Sequence, residues 1–393
     1  MERIVIVSVA RTAIGKFNGS LKDFEASDLG GIAIKAAINR AGLAPADVDE
    51  AVMGCVGTAA ENAFLARMSA LKGGMPNTST AITVNRLCSS GLQAILTAAS
   101  EIETGFADIC VAGGAESMTN IPFYLRKARN GYRMGDGVLE DGLITALSDP
   151  FYQVHMGITA ENVAEKYQIS REDQDLYALM SQERAQRAIE KGLFQDEIVP
   201  VTVQINRKET AEFCVDEHPR FNTTIKNLQK LRPAFKDGGT VTAGNAAGIN
   251  DAGAAVVLMK ESKAKSLGLK PIVAIKGAAV AGVDPAIMGI GPIPAMKKLY
   301  EKTGVHLSEI GLIELNEAFA AQVLACVREL GLSLDITNVN GSGISLGHPI
   351  GATGCIITIK LINEMVRRGV RYGVSTLCIG GGQGLAVMFE LCE

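Results

Sequence analysis

Three residues of this chain pair a reactive side chain with surroundings that could activate it: Cys88, His348 and Cys378. Cys88 lies in Val84-Asn-Arg-Leu-Cys-Ser-Ser-Gly91, directly ahead of a segment that begins near Ser89 and ends at Gly105. Leu92, Ile95, Leu96, Ala99 and Ile102 recur there at helical spacing. A thiol at a helix amino terminus feels the positive end of the macrodipole and free N–H groups, which favour thiolate. A small buried cysteine at a turn is the competing reading. His348 sits in the glycine-rich run Gly341–Gly354, where the backbone can approach a ligand closely and an imidazole could serve a thiol as its base. A structural or solvated histidine competes with that role. Cys378, in Leu377-Cys-Ile-Gly-Gly-Gly-Gln-Gly384, ends a strand-like run before glycines whose N–H groups can point at an anion. Its alternative is a core cysteine. Asn316 and Glu317 follow the apolar Leu312–Leu315, so an amide there can hold a water, donate to a developing oxyanion, or cap a helix.

The bulk of the chain sets limits on this chemistry. With 47% apolar and 20% charged residues over 393 positions, a large core and two or three packed units are expected. A net charge of -4 gives no reason to expect nucleic acid, so any anionic ligand must meet a local cationic cluster. Eight cysteines are scattered without a CxxC pair or a nearby histidine cluster, which reads as free thiols in a reducing compartment and no metal site. No window is apolar enough to span a membrane, and neither end carries a targeting signature, so a cytoplasmic protein is expected. Gly380-Gly-Gly-x-Gly is not a dinucleotide fingerprint, because no βαβ unit follows it.

Glycine-punctuated alternation of helical and strand-like runs indicates an α/β protein. Strands are expected around Val5–Val7, Ala51–Met53 and Ile109–Ala112, and a helix carrying Leu29, Ile32, Ala33 and Ala36 behind Ser27 and Asp28 as caps. The last third repeats the first weakly: Gly42, Asp47, Val48 and Ala51 match Gly304, Glu309, Ile310 and Ile313; Val84-Asn85 matches Val339-Asn340; Gly113–Glu116 matches Gly380–Gln383. Two copies of one unit would bring Cys88 and His348 towards a common centre. Residues 120–240 differ in character, with charged amphipathic stretches and a capping box at Ser170 and Asp173, and read as an inserted, mostly helical lid. The expected division is therefore 1–119 with 241–270 returning to it, the insert 120–240, and 271–393.

Together, Val84–Ala94, His155-Met-Gly, Thr159–Asn162, Thr240–Asn250, Gly289–Pro294, Asn316–Ala320, Gly347–Gly354 and Cys378–Gly384 resemble the thiolase family, in order and along essentially the whole chain. The resemblance implies a duplicated, five-layered α-β-α-β-α fold with an inserted CoA-binding loop domain. It implies Cys88 as acylated nucleophile, His348 as its base and Cys378 as the residue that takes an α-proton from acetyl-CoA. Oxyanion sites are implied at His348 with an Asn316-held water, and at the N–H groups of Cys88 and Gly380. Substrate contacts are implied at His155, Met156, Arg220, Phe235, Ala243, Ala247, Met288, Ala318 and Phe319. Lys226, Lys230 and Arg232 add local positive charge that could face nucleotide phosphates or form a solvated helix face. The implied reaction is reversible condensation of two acetyl-CoA, with coenzyme A as substrate and product and no cofactor; a broad-range 3-ketoacyl-CoA thiolase is the alternative. A homo-oligomer is implied, and segment Leu125–Phe151 resembles a tetramer-forming loop. Two departures stand out: Ala247 where the family usually has a serine, and Ala252 as an extra residue between Asp251 and Gly253.

Overall fold

The apolar runs of the sequence pair into one eleven-stranded sheet in the computed structural model, which describes residues 2–393. The first half supplies β1 (Ile4–Thr12), α1 (Ala26–Arg40), β2 (Glu50–Gly54), α2 (Leu65–Lys72), β3 (Thr80–Val84), α3 (Ser90–Thr104) and β4 (Ile109–Ser117). The following segment holds α4 (Met156–Lys166) and α5 (Arg171–Glu190), and β5 (Asn250–Lys260) then returns to pair between β1 and β4. The second half adds β6 (Val273–Gly282), α6 (Pro292–Thr303), β7 (Ile310–Leu315), α7 (Ala320–Leu330), α8 (Thr353–Arg368), β8 (Tyr372–Ile379) and β9 (Gln383–Leu391). The main strand order is β7-β8-β9-β6-β1-β5-β4-β2-β3, with β1 and β6 joining the halves antiparallel at Val5↔Ala274 and Ile6↔Val273.

Three apolar cores separate the layers. Helices α3 and α8 fill the middle with Leu92, Ile95, Ile357 and Leu361. The outer face of one half-sheet is covered by α1 and α2 through Ile34, Ile38 and Leu65, and that of the other by α6 and α7 through Met296, Leu299 and Val323. Helices outside, between and outside again give the five-layered α-β-α-β-α arrangement.

The strand registers reveal the duplication more sharply than the residue types do. A bulge interrupts β1 between Ile6 and Ser8, and another interrupts β6 between Ile275 and Gly277. Gly253 pairs with Ala115, and Gly384 pairs with Cys378. Each glycine lets the chain of an outer layer come close, since an added Cβ would lie 2.2 Å from Leu29 O in one copy and 2.0 Å from Gly291 O in the other. Ala115 is thus the counterpart of Cys378, which corrects the match of Gly113–Glu116 to Gly380–Gln383. The first run lies inside β4, whereas Gly380–Gly382 is the turn between β8 and β9. Composition alone aligned a glycine pair in a strand with glycines in a turn.

Other local expectations are refined. Glu25, not Ser27 or Asp28, is the N-cap of α1, and Asp28 accepts from the Glu25 N–H at 3.0 Å. Ser170 and Asp173 do form a capping box on α5, with the Asp173 N–H 3.0 Å from Ser170 Oγ. The insert is less helical than expected, because three two-stranded ribbons, the longest Val201–Asn206 with Glu209–Phe213, share it with α4 and α5. Ala252 causes no irregularity: the β4–β5 ladder runs unbroken from Asp251↔Ser117 to Met259↔Ile109, and Ala252 is buried.

Candidate active site

Cys88 is presented by a strained turn. Leu87 has φ +47°, a region costly for a branched side chain, and Ser90 Oγ holds the turn by donating to Leu87 O (2.7 Å) and accepting from the Arg86 N–H (2.9 Å). The N–H groups of Gly380 and of Cys88 itself point at the sulfur and favour its charged form. Burial outweighs them and pushes the thiol up from its ordinary 9.0. The local features that favour a thiolate thus meet an opposing cost, since desolvation outweighs the two N–H groups that face the sulfur.

His348 is fixed from several sides. Its N–H donates to Asn250 Oδ1 (3.0 Å), and the buried Glu116 accepts from the N–H of Gly351 (2.9 Å), Val56 (2.9 Å) and Gly57 (3.0 Å), clamping the two loops together. Thr353 Oγ1 lies 2.7 Å from His348 Nδ1 and donates its only proton to Pro349 O at 2.9 Å. It must then accept from Nδ1–H, which leaves the lone pair of the neutral ring on Nε2. Burial pushes the imidazole down to about 4, so it stays neutral near neutral pH. Asn316 Nδ2 lies 3.4 Å from Nε2. The capping alternative for Asn316 is overturned, because α7 takes Phe319 as its N-cap. Glu317 serves the scaffold, accepting from Tyr177 OH (2.9 Å), Ser181 Oγ (2.6 Å) and the Ile344 N–H (3.2 Å) in the loop that leads to His348.

Cys378, 1% exposed near the end of β8, has its thiol raised well above 9.0, first by burial and then by the neighbouring Cys88. Cys88, His348 and Cys378 all line one largely apolar chamber of about 320 Å³. A second cavity of about 410 Å³ shares Cys88, Leu147, Met156 and Ile350 with it and adds Leu87, Phe151, Gly380 and Gly381. The nucleophile candidate thus sits where two chambers meet.

The residues expected around a substrate fall into two groups. His155, Met156, Met288, Ala318 and Phe319 line the chamber with Ala247. His155 caps α4, its Nδ1 accepting from the Gly157 N–H (3.1 Å), and its ring stacks on Phe235 at 4.8 Å. Arg220, Phe235, Ala243 and Ala247 line an open groove of about 510 Å³, which shares Phe235, Ala246, Ala247, Gly248 and Ile249 with the chamber. Lys226, Lys230 and Arg232 are exposed and do not line that groove, so the solvated reading of these cations is the one the geometry supports. Sequence reasoning gave no role to Thr353, Asn250 or Glu116, which hold His348 and its loop. Only Thr353 left a signal, as a hydroxyl one helical turn beyond Pro349.

A thiol, an imidazole with its free lone pair on Nε2 and a second thiol around one chamber equip a protein for acyl transfer through cysteine. The chain belongs to the thiolase family: the thiolase N-terminal domain matches residues 4–262 and the thiolase C-terminal domain residues 269–391. It is 51% identical over 389 residues to the beta-ketothiolase BktB of Cupriavidus necator, covering 98% of each chain. It is 51% identical over 396 residues to the acetyl-CoA acetyltransferase of Escherichia coli K12, covering 99% of each. Among solved structures, the Bacillus anthracis acetyl-CoA acetyltransferase matches with TM-score 0.97 at 47% identity over 100% of this chain and 99% of that one. Human mitochondrial 3-ketoacyl-CoA thiolase in complex with CoA matches with TM-score 0.95 at 44% identity, over 100% and 98%.

Proposed function

We propose that this protein is an acetyl-CoA C-acetyltransferase, catalysing the reversible condensation of two acetyl-CoA into acetoacetyl-CoA and CoA. The observation that carries this reading is the convergence of Cys88, His348 and Cys378 on one chamber. His348 Nε2 takes the Cys88 proton as the sulfur attacks the thioester carbonyl. The developing oxyanion is met by the N–H groups of Cys88 and Gly380, a type of contact whose loss costs about 3 to 4 kcal/mol of barrier. CoA thiolate leaves and takes the proton of Cys378. The Cys378 thiolate, a strong base because its thiol is so weak an acid, removes an α-proton from the second acetyl-CoA. The enolate is stabilised by the imidazolium with Asn316 beside it and attacks the acetyl group on Cys88. The Cys88 sulfur leaves and recovers its proton from His348.

Every proton and electron pair in this sequence is carried by a side chain or the substrate, so the scheme uses no cofactor and no metal. CoA would lie along the groove of Arg220, Phe235, Ala243 and Ala247, with its thioester among His155, Met156, Met288, Ala318 and Phe319. A homotetramer acting in the cytoplasm on short-chain fatty acid metabolites completes the proposal. Exposed apolar residues at Phe123 (59%), Met134 (96%) and Phe151 (72%) support association through the 123–152 segment. No helix among the described residues is long and apolar enough to cross a membrane.

The test is to mix the protein with acetyl-CoA and analyse the Cys88 peptide by mass spectrometry. One acetyl group on Cys88, removed by free CoA, is expected; an unmodified peptide refutes the scheme. A series of 3-oxoacyl-CoA substrates should show thiolysis falling steeply beyond four carbons, and a flat profile would refute the short-chain assignment.

A further inference from the structure

The groove leading to the chamber has a wall that no motif reading or family assignment above accounts for: Lys16 and Phe17, which line it beside Arg220, Ala234 and Phe235. Two features set this wall apart from ordinary surface. First, Phe17 is 45% exposed although it is a large apolar ring at the rim of an open groove. Second, the turn that presents it is built rather than loose. Glu217 accepts from the N–H groups of Lys16 and Ser20 and from Ser20 Oγ, each at 3.1 Å. Asn18 is held at φ +53° with its N–H on Thr119 Oγ1 (3.1 Å), and Lys16 pairs with Asn250 at the start of β5. An added Cβ on Gly19 would lie 2.3 Å from Glu217 Oε2, so the carboxylate is packed directly against the turn. Hydrogen bonds and close packing thus hold a turn that displays two outward side chains, an aromatic ring and a cation.

The charges on this rim suit a polyanion. The Lys16 side chain is 59% exposed and reaches Glu217 only at 3.5 Å, a weak pairing for a carboxylate already accepting from three other groups. Arg220 is exposed, fixed through its own N–H to Gln182 Oε1 (2.9 Å) rather than through its guanidinium. Glu217 also lines the groove, but it is engaged by the turn, so two cations and an exposed ring, continuous with a thioester chamber, match a molecule that ends in phosphates and a purine.

We propose that Lys16 and Phe17 bind the 3′-phospho-ADP end of CoA, Lys16 meeting a phosphate and Phe17 stacking on the adenine. The inference rests on the proposed function above for the identity of the substrate, and the test separates the two. Adenosine 3′,5′-bisphosphate, which has no thioester, serves as the probe for equilibrium binding to the whole protein. Stacking and ion pairing of this kind predict that Phe17→Ala and Lys16→Gln each weaken its binding by about 5- to 20-fold. With acetyl-CoA, KM should rise by a similar factor while kcat holds. With the acetyl thioester of pantetheine, which lacks the nucleotide, KM should be unchanged. Phe17→Leu and Lys16→Arg serve where the first variants fail to fold, and Lys16→Arg should restore most of the binding. Equal losses with both thioesters would make the turn a general structural element and overturn the proposal, as would bisphosphate binding identical to wild type. Failure of the acetyl-transfer reading would appear separately, as absent Cys88 acetylation in the wild-type protein.

Discussion

The two halves of the molecule share a ladder, its bulges and its close-approach glycines, yet they place different chemistry at corresponding points. Beside Gly253 the first half has Ala115; beside Gly384 the second has Cys378. Ahead of α3 the first half has Cys88 on a short strained turn, while the second reaches α8 through a longer loop containing the extra turn Gly343–Leu346, which delivers His348. The helices that carry these tips meet at Gly91 and Gly354, where an added Cβ would lie 2.9 Å from Cys355 N or 2.4 Å from Leu92 N. Duplication supplies a meeting point on which two loops converge, and divergence of the loops fills it with unlike groups. In the proposed scheme one half attacks and the other supplies both proton carriers.

Breaking either half should therefore fail differently. The largest loss is expected for Cys88→Ala, about ten-thousandfold in both directions with no acetyl-enzyme, since removing a nucleophile forfeits the covalent route. Mass spectrometry and thiolysis of acetoacetyl-CoA measure the two parts. Cys378→Ala should slow acetylation of Cys88 only modestly, because CoA can leave as its thiolate without a donor, while lowering condensation by about a thousandfold, the scale of a lost general base. Equal loss of both steps would deny the division of labour between the halves.

The meeting point itself is tested next. Gly354→Ala should destabilise the fold by about 3 kcal/mol in urea titration, as overpacking against a backbone that cannot retreat. Unchanged stability would mean the halves are not braced there. A smaller effect concerns the imidazole: Thr353→Val removes the acceptor that holds the Nδ1–H tautomer, and a roughly tenfold fall in acetylation rate is expected, with the Cys88 thiol still reactive to alkylation. Stopped-flow acetylation alongside iodoacetamide labelling separates those outcomes.

Much of this arrangement could be read from residue order, and the exceptions share a cause. Cys88, His348 and Cys378 announce themselves because glycine runs and helix starts leave local traces. The face of α3 and the capping box at Ser170 were legible for the same reason: helical periodicity and cap chemistry act within a few residues. Glu116 and Asn250 were not, because their partners lie far along the chain and the bonds they accept come from backbone N–H groups, which have no residue type. The cost of ionising Cys88 is not legible in the sequence, because a helix terminus is visible locally, whereas desolvation of the sulfur depends on residues of both halves that line its chambers. The register error at Gly113–Glu116 has the opposite origin: glycine is informative about space, but the same residue serves a strand crossing in one copy and a turn in the other.

The smallest expected effect separates the halves by pH. His348 has an ordinary value of 6.5 and is held at about 4 in the folded protein, so between those values the unfolded chain binds a proton that the native chain refuses. Stability from this group is complete above about 6.5 and declines as pH falls towards 4. From pH 7.5 to 5.5 the loss should be about 1 kcal/mol, absent in His348→Gln, as read from urea midpoints. The thiols act in the other direction. Cys88 and Cys378 are raised above 9.0, so the native state keeps protons that the unfolded chain releases in alkali, and stability falls as pH rises through 9. Cys88→Ala should soften only the alkaline decline and His348→Gln only the acid one. If one substitution altered both limbs, the two tips would be coupled through a shared proton in the resting protein, rather than only once substrate arrives.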